Sequence, residues 1–123
     1  MGGSRSAASA ILALAFLLTP AHAATTVAVL QGLDKVTARV SRFEAPIDQP
    51  VRFGTLEIIV RVCNKRPPEE PPESAAYLDI RELRPGEPAV QRFDGWMFAS
   101  SPGLNGLEHP VYDVWVLDCR VVS

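Results

Sequence analysis

Cysteine is scarce: the 123 residues hold two, Cys63 and Cys119. No C-x-x-C redox motif is possible, nor a cysteine-based zinc site, which needs about four ligands. Histidine is as scarce, with His22 and His109, and only His109 lies beyond the N-terminal apolar run. Any imidazole mechanism must therefore use His109. The Gly-x-Ser-x-Gly and Ser-x-x-Lys nucleophile motifs are absent, and so is the spacing of an EF-hand calcium loop. There is no surplus of positive charge either. Arg5 is the sole charge of the first 23 residues, which leaves 11 basic against 14 acidic residues, a net −3 with histidine neutral. Such a balance offers no electrostatic footprint for nucleic acid or an anionic membrane surface.

What is present begins with an export signal. Arg5 supplies the positive start, Ala7 to Leu18 is an apolar run of about twelve residues, and Ala21-His22-Ala23 is a small-x-small cleavage site. Cutting is expected before Ala24. The run falls short of the roughly twenty residues that span a bilayer, and no second run is long enough to anchor in lipid. The remaining 100 residues allow one domain, 24–123, in an oxidising compartment. There Cys63 and Cys119 are expected to pair, closing a loop of 56 positions worth about 4 kcal/mol in the chain-entropy model.

The rest reads as β throughout. Val27 to Leu30 reads as an edge strand, and Gly32 to Lys35 as a turn. Val36 to Phe43 alternates, with Phe43 out of phase, which predicts a bulge near Arg42. Thr55 to Cys63 is the clearest strand, with Leu56, Ile58, Val60 and Val62 on one face at period two. Asn64 to Ser74 carries four prolines and is expected to be an extended surface loop. Tyr77 to Leu83 alternates, and Pro85-Gly86 predicts a hairpin to Ala89–Phe93. Asp94-Gly95 signals another turn, and beyond it either Asn105-Gly106 sits in a tight turn or Gly103 to Leu107 forms one helical turn. Val111 to Leu117 is apolar on both faces and reads as a covered, central strand. The fold class is all-β: a small sandwich or open barrel of about seven strands with one disulfide.

Residues that could carry chemistry are few. Ser100 or Ser101, His109 and Asp113 are the types of a hydrolytic triad, but His109 and Asp113 sit about 13 Å apart on an extended strand. Asp113 inside an apolar strand needs a partner, expected to be Arg39, Arg61 or Arg81 or the backbone of a loop. His109 is expected to cap a loop at a strand entry, and Trp115 to lie in the core. Trp96, Met97 and Phe98 form a dense apolar cluster beside a loop-rich stretch.

Five runs carry a resemblance: Leu33–Thr37, Val51–Thr55, Lys65–Glu70, Gly95–Pro102 and His109–Trp115. Together they resemble a family of small exported alphaproteobacterial proteins catalogued as a domain of unknown function. Ala38 departs from the pattern, where glycine is common. The resemblance implies a Gram-negative periplasm and transfers no catalytic residue. Its genes' frequent place beside one for a respiratory complex I accessory subunit hints at envelope or respiratory assembly.

The leading expectation is a non-catalytic periplasmic module that binds an envelope protein, with no cofactor and no metal. Its contact surface would draw on Trp96, Met97, Phe98, Ser100, Ser101 and His109, with Arg66, Glu69 and Glu70 from the proline loop. Two alternatives stand: a hydrolase of an envelope polymer using Ser100 or Ser101 with His109 and Asp113, or an inhibitor or chaperone-like factor presenting Pro67 to Pro72.

Overall fold

The computed structural model describes residues 24–123; the expected export signal and cleavage site lie outside the described residues. Seven strands form, β1 (Thr25–Asp34), β2 (Arg39–Pro46), β3 (Val51–Phe53), β4 (Leu56–Lys65), β5 (Ser74–Glu82), β6 (Val90–Phe98) and β7 (Tyr112–Val122). They make two antiparallel sheets, ordered β2-β1-β7 and β3-β4-β5-β6. Alternation supplies each sheet with one apolar face, and the two faces share a single core. Leu30, Leu56, Ile58, Val60, Leu78, Ile80 and Val116 are its fully buried side chains. At roughly 1.5–3 kcal/mol each, such residues provide most of the drive to fold.

Strand order corrects two expectations. The Val27–Leu30 run lies in β1, which is the central strand of its sheet, and β7 is the edge. The outer face of β7 owes its apolar character to a loop: Trp115 is half-buried beside Pro102, Gly103, Gly106 and Leu107.

The first turn also moves. The Asp34 carboxylate accepts the N–H groups of Val36 at 2.9 Å and Thr37 at 3.2 Å, an Asx turn that ends β1 later than the glycine suggests. Ala38 follows with φ +58°. β2 therefore starts at Arg39, and its register against β1 runs unbroken from Asp34↔Arg39 to Val27↔Pro46. No bulge forms at Arg42. Phe43 and Ala45 face inward, while Val40 is 59% exposed.

A bulge forms in β4 instead, between Val60 and Val62. It turns Val62 outward and Cys63 inward, where Cys63 bonds Cys119 of β7 with Cα atoms 5.7 Å apart. The expected hairpin at Pro85-Gly86 is present, with Glu87 N–H donating to the Arg84 carbonyl at 3.1 Å and Gly86 at φ +76°. Asp94-Gly95 makes no turn. β6 runs straight through it, pairing Asp79 with Asp94 and Leu78 with Gly95. The Tyr77 hydroxyl donates to Asp94 at 2.6 Å and fixes that register.

An aromatic column joins the sheets. Phe43 stacks on Phe53 at 5.5 Å, Phe53 meets Tyr112 edge-on at 5.5 Å, and Tyr112 lies 5.2 Å from the His109 ring. Phe53 can reach across because Gly32 has no side chain: a Cβ there would lie 2.6 Å from the ring.

Candidate functional site

Two polar or exposed clusters stand out. The first is buried around Glu82, whose side chain is 2% exposed. Alternation along β5 puts Glu82 in phase with Leu78 and Ile80, so it points inward. Arg92 of β6 donates to Oε1 from Nε at 2.9 Å and Nη2 at 2.6 Å. Oε2 accepts from Thr55 Oγ1 at 2.9 Å, Arg84 Nη2 at 3.2 Å and His109 Nε2 at 3.0 Å. Burial pushes the Glu82 carboxyl up, but the hydrogen bonds from Arg92, His109 and Thr55 outweigh it and hold the group down at about 2. His109 is equally enclosed, with its side chain 1% exposed. Its Nδ1 accepts the N–H groups of Val111 at 3.0 Å and Tyr112 at 3.2 Å, so it does cap the entry to β7. This cluster clamps β5, β6 and the strand entries together; Glu82 and the His109 ring are enclosed at its centre, while the Arg84 and Arg92 side chains reach the surface.

The triad residues are not brought together. Ser100 gives its N–H and hydroxyl to Glu73, and the Ser101 N–H donates to the Phe98 carbonyl. The His109 ring serves Glu82. Asp113 pairs at 3.4 Å with Lys35, not with Arg39, Arg61 or Arg81, because the register places Asp113 opposite Leu33, near the end of β1 where Lys35 follows. Lys35 Nζ also donates to the His109 carbonyl at 2.8 Å.

The proline loop is closed at its base and carries one turn of its own. Arg66 N–H donates to the Glu73 carbonyl at 2.9 Å, and Glu70 N–H to the Pro67 carbonyl at 3.1 Å. Glu73 accepts from Ser100 and from the Ser74 N–H, and the Ser100 hydroxyl is the chief cause that holds its carboxyl below the usual range. Arg66, Glu69 and Glu70 are exposed and project from the loop.

The second cluster lies on the outer face of the four-stranded sheet. The β4 bulge brings Val62 into line with Tyr77 of β5 and Trp96 of β6. Val62 and Trp96 are each 38% exposed. Tyr77 and Trp96 meet edge to face at 5.6 Å. Ala75 and Phe98 extend the strip on one side, while Asp79 and Asp94 border it on the other. Asp79 is neutralised by Arg61 at 3.7 Å and Arg81 at 3.8 Å. Asp94 is exposed and, among the described residues, takes only the Tyr77 hydroxyl, whose pKa that hydrogen bond raises above the ordinary tyrosine value. Of the residues expected at a contact surface, Trp96 and Phe98 belong to this strip. Met97 does not: it is 3% exposed and faces the core, because alternation along β6 turns it opposite to its neighbours. His109 leaves the surface for the same reason of burial. Tyr77 and Val62 join it unforeseen. The phase of Tyr77 against Leu78 could have revealed the first; no local signal marks the bulge that turns the second.

Comparison with known proteins adds kinship. A model described as an uncharacterised protein conserved in bacteria matches residues 28–119. An uncharacterised protein of Rickettsia prowazekii (strain Madrid E) is 29% identical over 87 residues, 71% of this chain and 56% of that protein. The chain thus spans a little over half the length of this relative. No solved structure matches. The family match begins in β1, ends in β7 and takes in both cysteines, and the chain belongs to the DUF2155 family of uncharacterised bacterial proteins.

Proposed function

We propose that the protein is a non-catalytic binding module of the cell envelope, docking a partner protein through the outer face of β4, β5 and β6. The observation that carries this reading is the row Val62–Tyr77–Trp96, an apolar and aromatic strip lying open across three strands. Tyrosine and tryptophan are the residues most enriched where interfaces hold their energy. Charged residues rim the strip, as they do at protein contacts. The export signal read from the sequence supports the envelope as the setting, and assembly of an envelope complex is the role that suits a small rigid sandwich. A photo-reactive amino acid at position 96 tests this in the native cell. A discrete adduct at position 96, and none from the same group at the exposed turn residue Val36, is the expected result. No adduct at 96, or equal labelling from both positions, overturns the reading.

A further inference from the structure

β6 is the open edge of its sheet, and its backbone phase can be assigned. Ala99 N–H donates to the Ser74 carbonyl at 2.9 Å, extending the β5–β6 ladder by one rung. In an antiparallel pair the rungs fall on alternate residues. Residues 97 and 95 therefore bond β5 as well, and the residues between them point their N–H and C=O groups away from it. Asp94 and Trp96 thus present backbone donors and acceptors along the free edge, as does the Phe98 N–H; the Phe98 carbonyl is taken by Ser101. Among the described residues no strand pairs with β6 on this side.

The other edges are blunted in recognisable ways. β3 is three residues long and follows Pro50. β2 carries Arg39, Arg42 and Glu44 and ends in Pro46. β7 carries Asp113, Asp118 and Arg120. From Asp94 to Phe98, β6 has no proline and no lysine, and no strand covers it among the described residues. The residues with free backbone groups are also those whose side chains lie on the aromatic strip, so an added strand would meet ladder and strip at once. Charge selects its sequence. Asp94 is exposed with no cation paired to it among the described residues, and Trp96 sits two residues on along the same face, about 7 Å away. A cation held between them gains a carboxylate and an indole ring.

Resting on the binding reading above, we infer that β6 accepts an extended partner segment as a fifth strand, with a lysine or arginine opposite Asp94 and an apolar residue opposite Trp96. Main-chain bonds would supply affinity, and the Asp94–Trp96 pair would supply choice of sequence.

The test uses fluorescent ten-residue peptides alternating valine and threonine around one central lysine, titrated against the purified protein. Three companions vary them: one with glutamate for lysine, one N-methylated at two alternate amides, and one N-methylated at the intervening two. The lysine peptide should saturate. One methylated peptide alone should lose affinity about tenfold or more, since only one set of amides faces β6. Asp94→Lys should invert the preference between the lysine and glutamate peptides. Equal binding of both methylated peptides, or indifference to charge, overturns the inference even with the unmutated protein. So does a dimer by light scattering that Asp94→Lys dissolves, which would assign the edge to a second copy. An adduct from position 96 in cells, with no peptide binding, would remove the added strand and leave the binding role standing.

Discussion

His109 donates its Nε2–H to the Glu82 carboxylate at 3.0 Å while its Nδ1 receives two backbone N–H groups. The second set of bonds fixes the first: a nitrogen that accepts carries no proton, so the proton must sit on Nε2. The imidazole is a neutral connector between the entry of β7 and the end of β5.

Glu82→Gln keeps the shape of the clamp but leaves Arg92 and Arg84 facing a neutral amide. It should cost about 3 kcal/mol at neutral pH, read from urea unfolding. The pH dependence has a definite sign. Glu82 is held at about 2 in the folded chain against an ordinary 4.5, so the unfolded chain binds its proton first as pH falls. Its contribution is complete above about 4.5 and disappears as pH drops toward about 2. Stability of the unmutated protein should decline across that window more steeply than that of Glu82→Gln. Parallel curves would contradict the assignment.

Ala38 holds a left-handed backbone with φ +58°, a conformation that disfavours any side chain. Ala38→Gly should stabilise by about 1 kcal/mol, offset in part by the greater freedom of the unfolded chain. A thermal melt should rise by a few degrees, ~4–8 °C per kcal/mol for a domain of this size.

Gly32 lets the Phe53 ring lie against β1, with 2.6 Å between ring and a hypothetical Cβ. Gly32→Ala should destabilise by about 2 kcal/mol through overpacking. Phe53→Leu, harmful alone through loss of the stack with Phe43, should lose much of its cost in the Gly32→Ala background. A double-mutant cycle with no coupling would show that the ring moves aside freely.

The Cys63–Cys119 bond spans 56 positions and links one sheet to the other. Replacing both cysteines with serine should lower unfolding free energy by about 4 kcal/mol, less any structure retained by the unfolded chain. Reduction of the unmutated protein should match the double variant within error.

The sequence showed its strands through period two and its disulfide through having only two cysteines. Leu56, Ile58 and Val60 face the core as their spacing requires, and Pro85-Gly86 turns where its residue types demand. Strand order was not legible, because apolar character reports what covers a face and not what lies beside an edge. Val111–Leu117 read as central for that reason. The Asp94-Gly95 signal lost to a long-range contact, the Tyr77 hydroxyl on Asp94, which a local reading cannot weigh. The binding strip was half legible: Trp96 and Phe98 were visible as a cluster, but Val62 reaches it through one irregular residue in β4. The Glu82 clamp was readable in the phase of β5 and was missed because Arg92 and His109 are remote from it in sequence.

β1 lies between β2 and β7, with Thr25 opposite Val122. The first of the seven described strands cannot be flanked on both sides until the seventh has been delivered. Until then the leading half would keep its apolar residues uncommitted, and the sandwich would close in one late event. Contacts so far apart along the chain make for slow maturation and a long interval of exposure to aggregation and proteolysis.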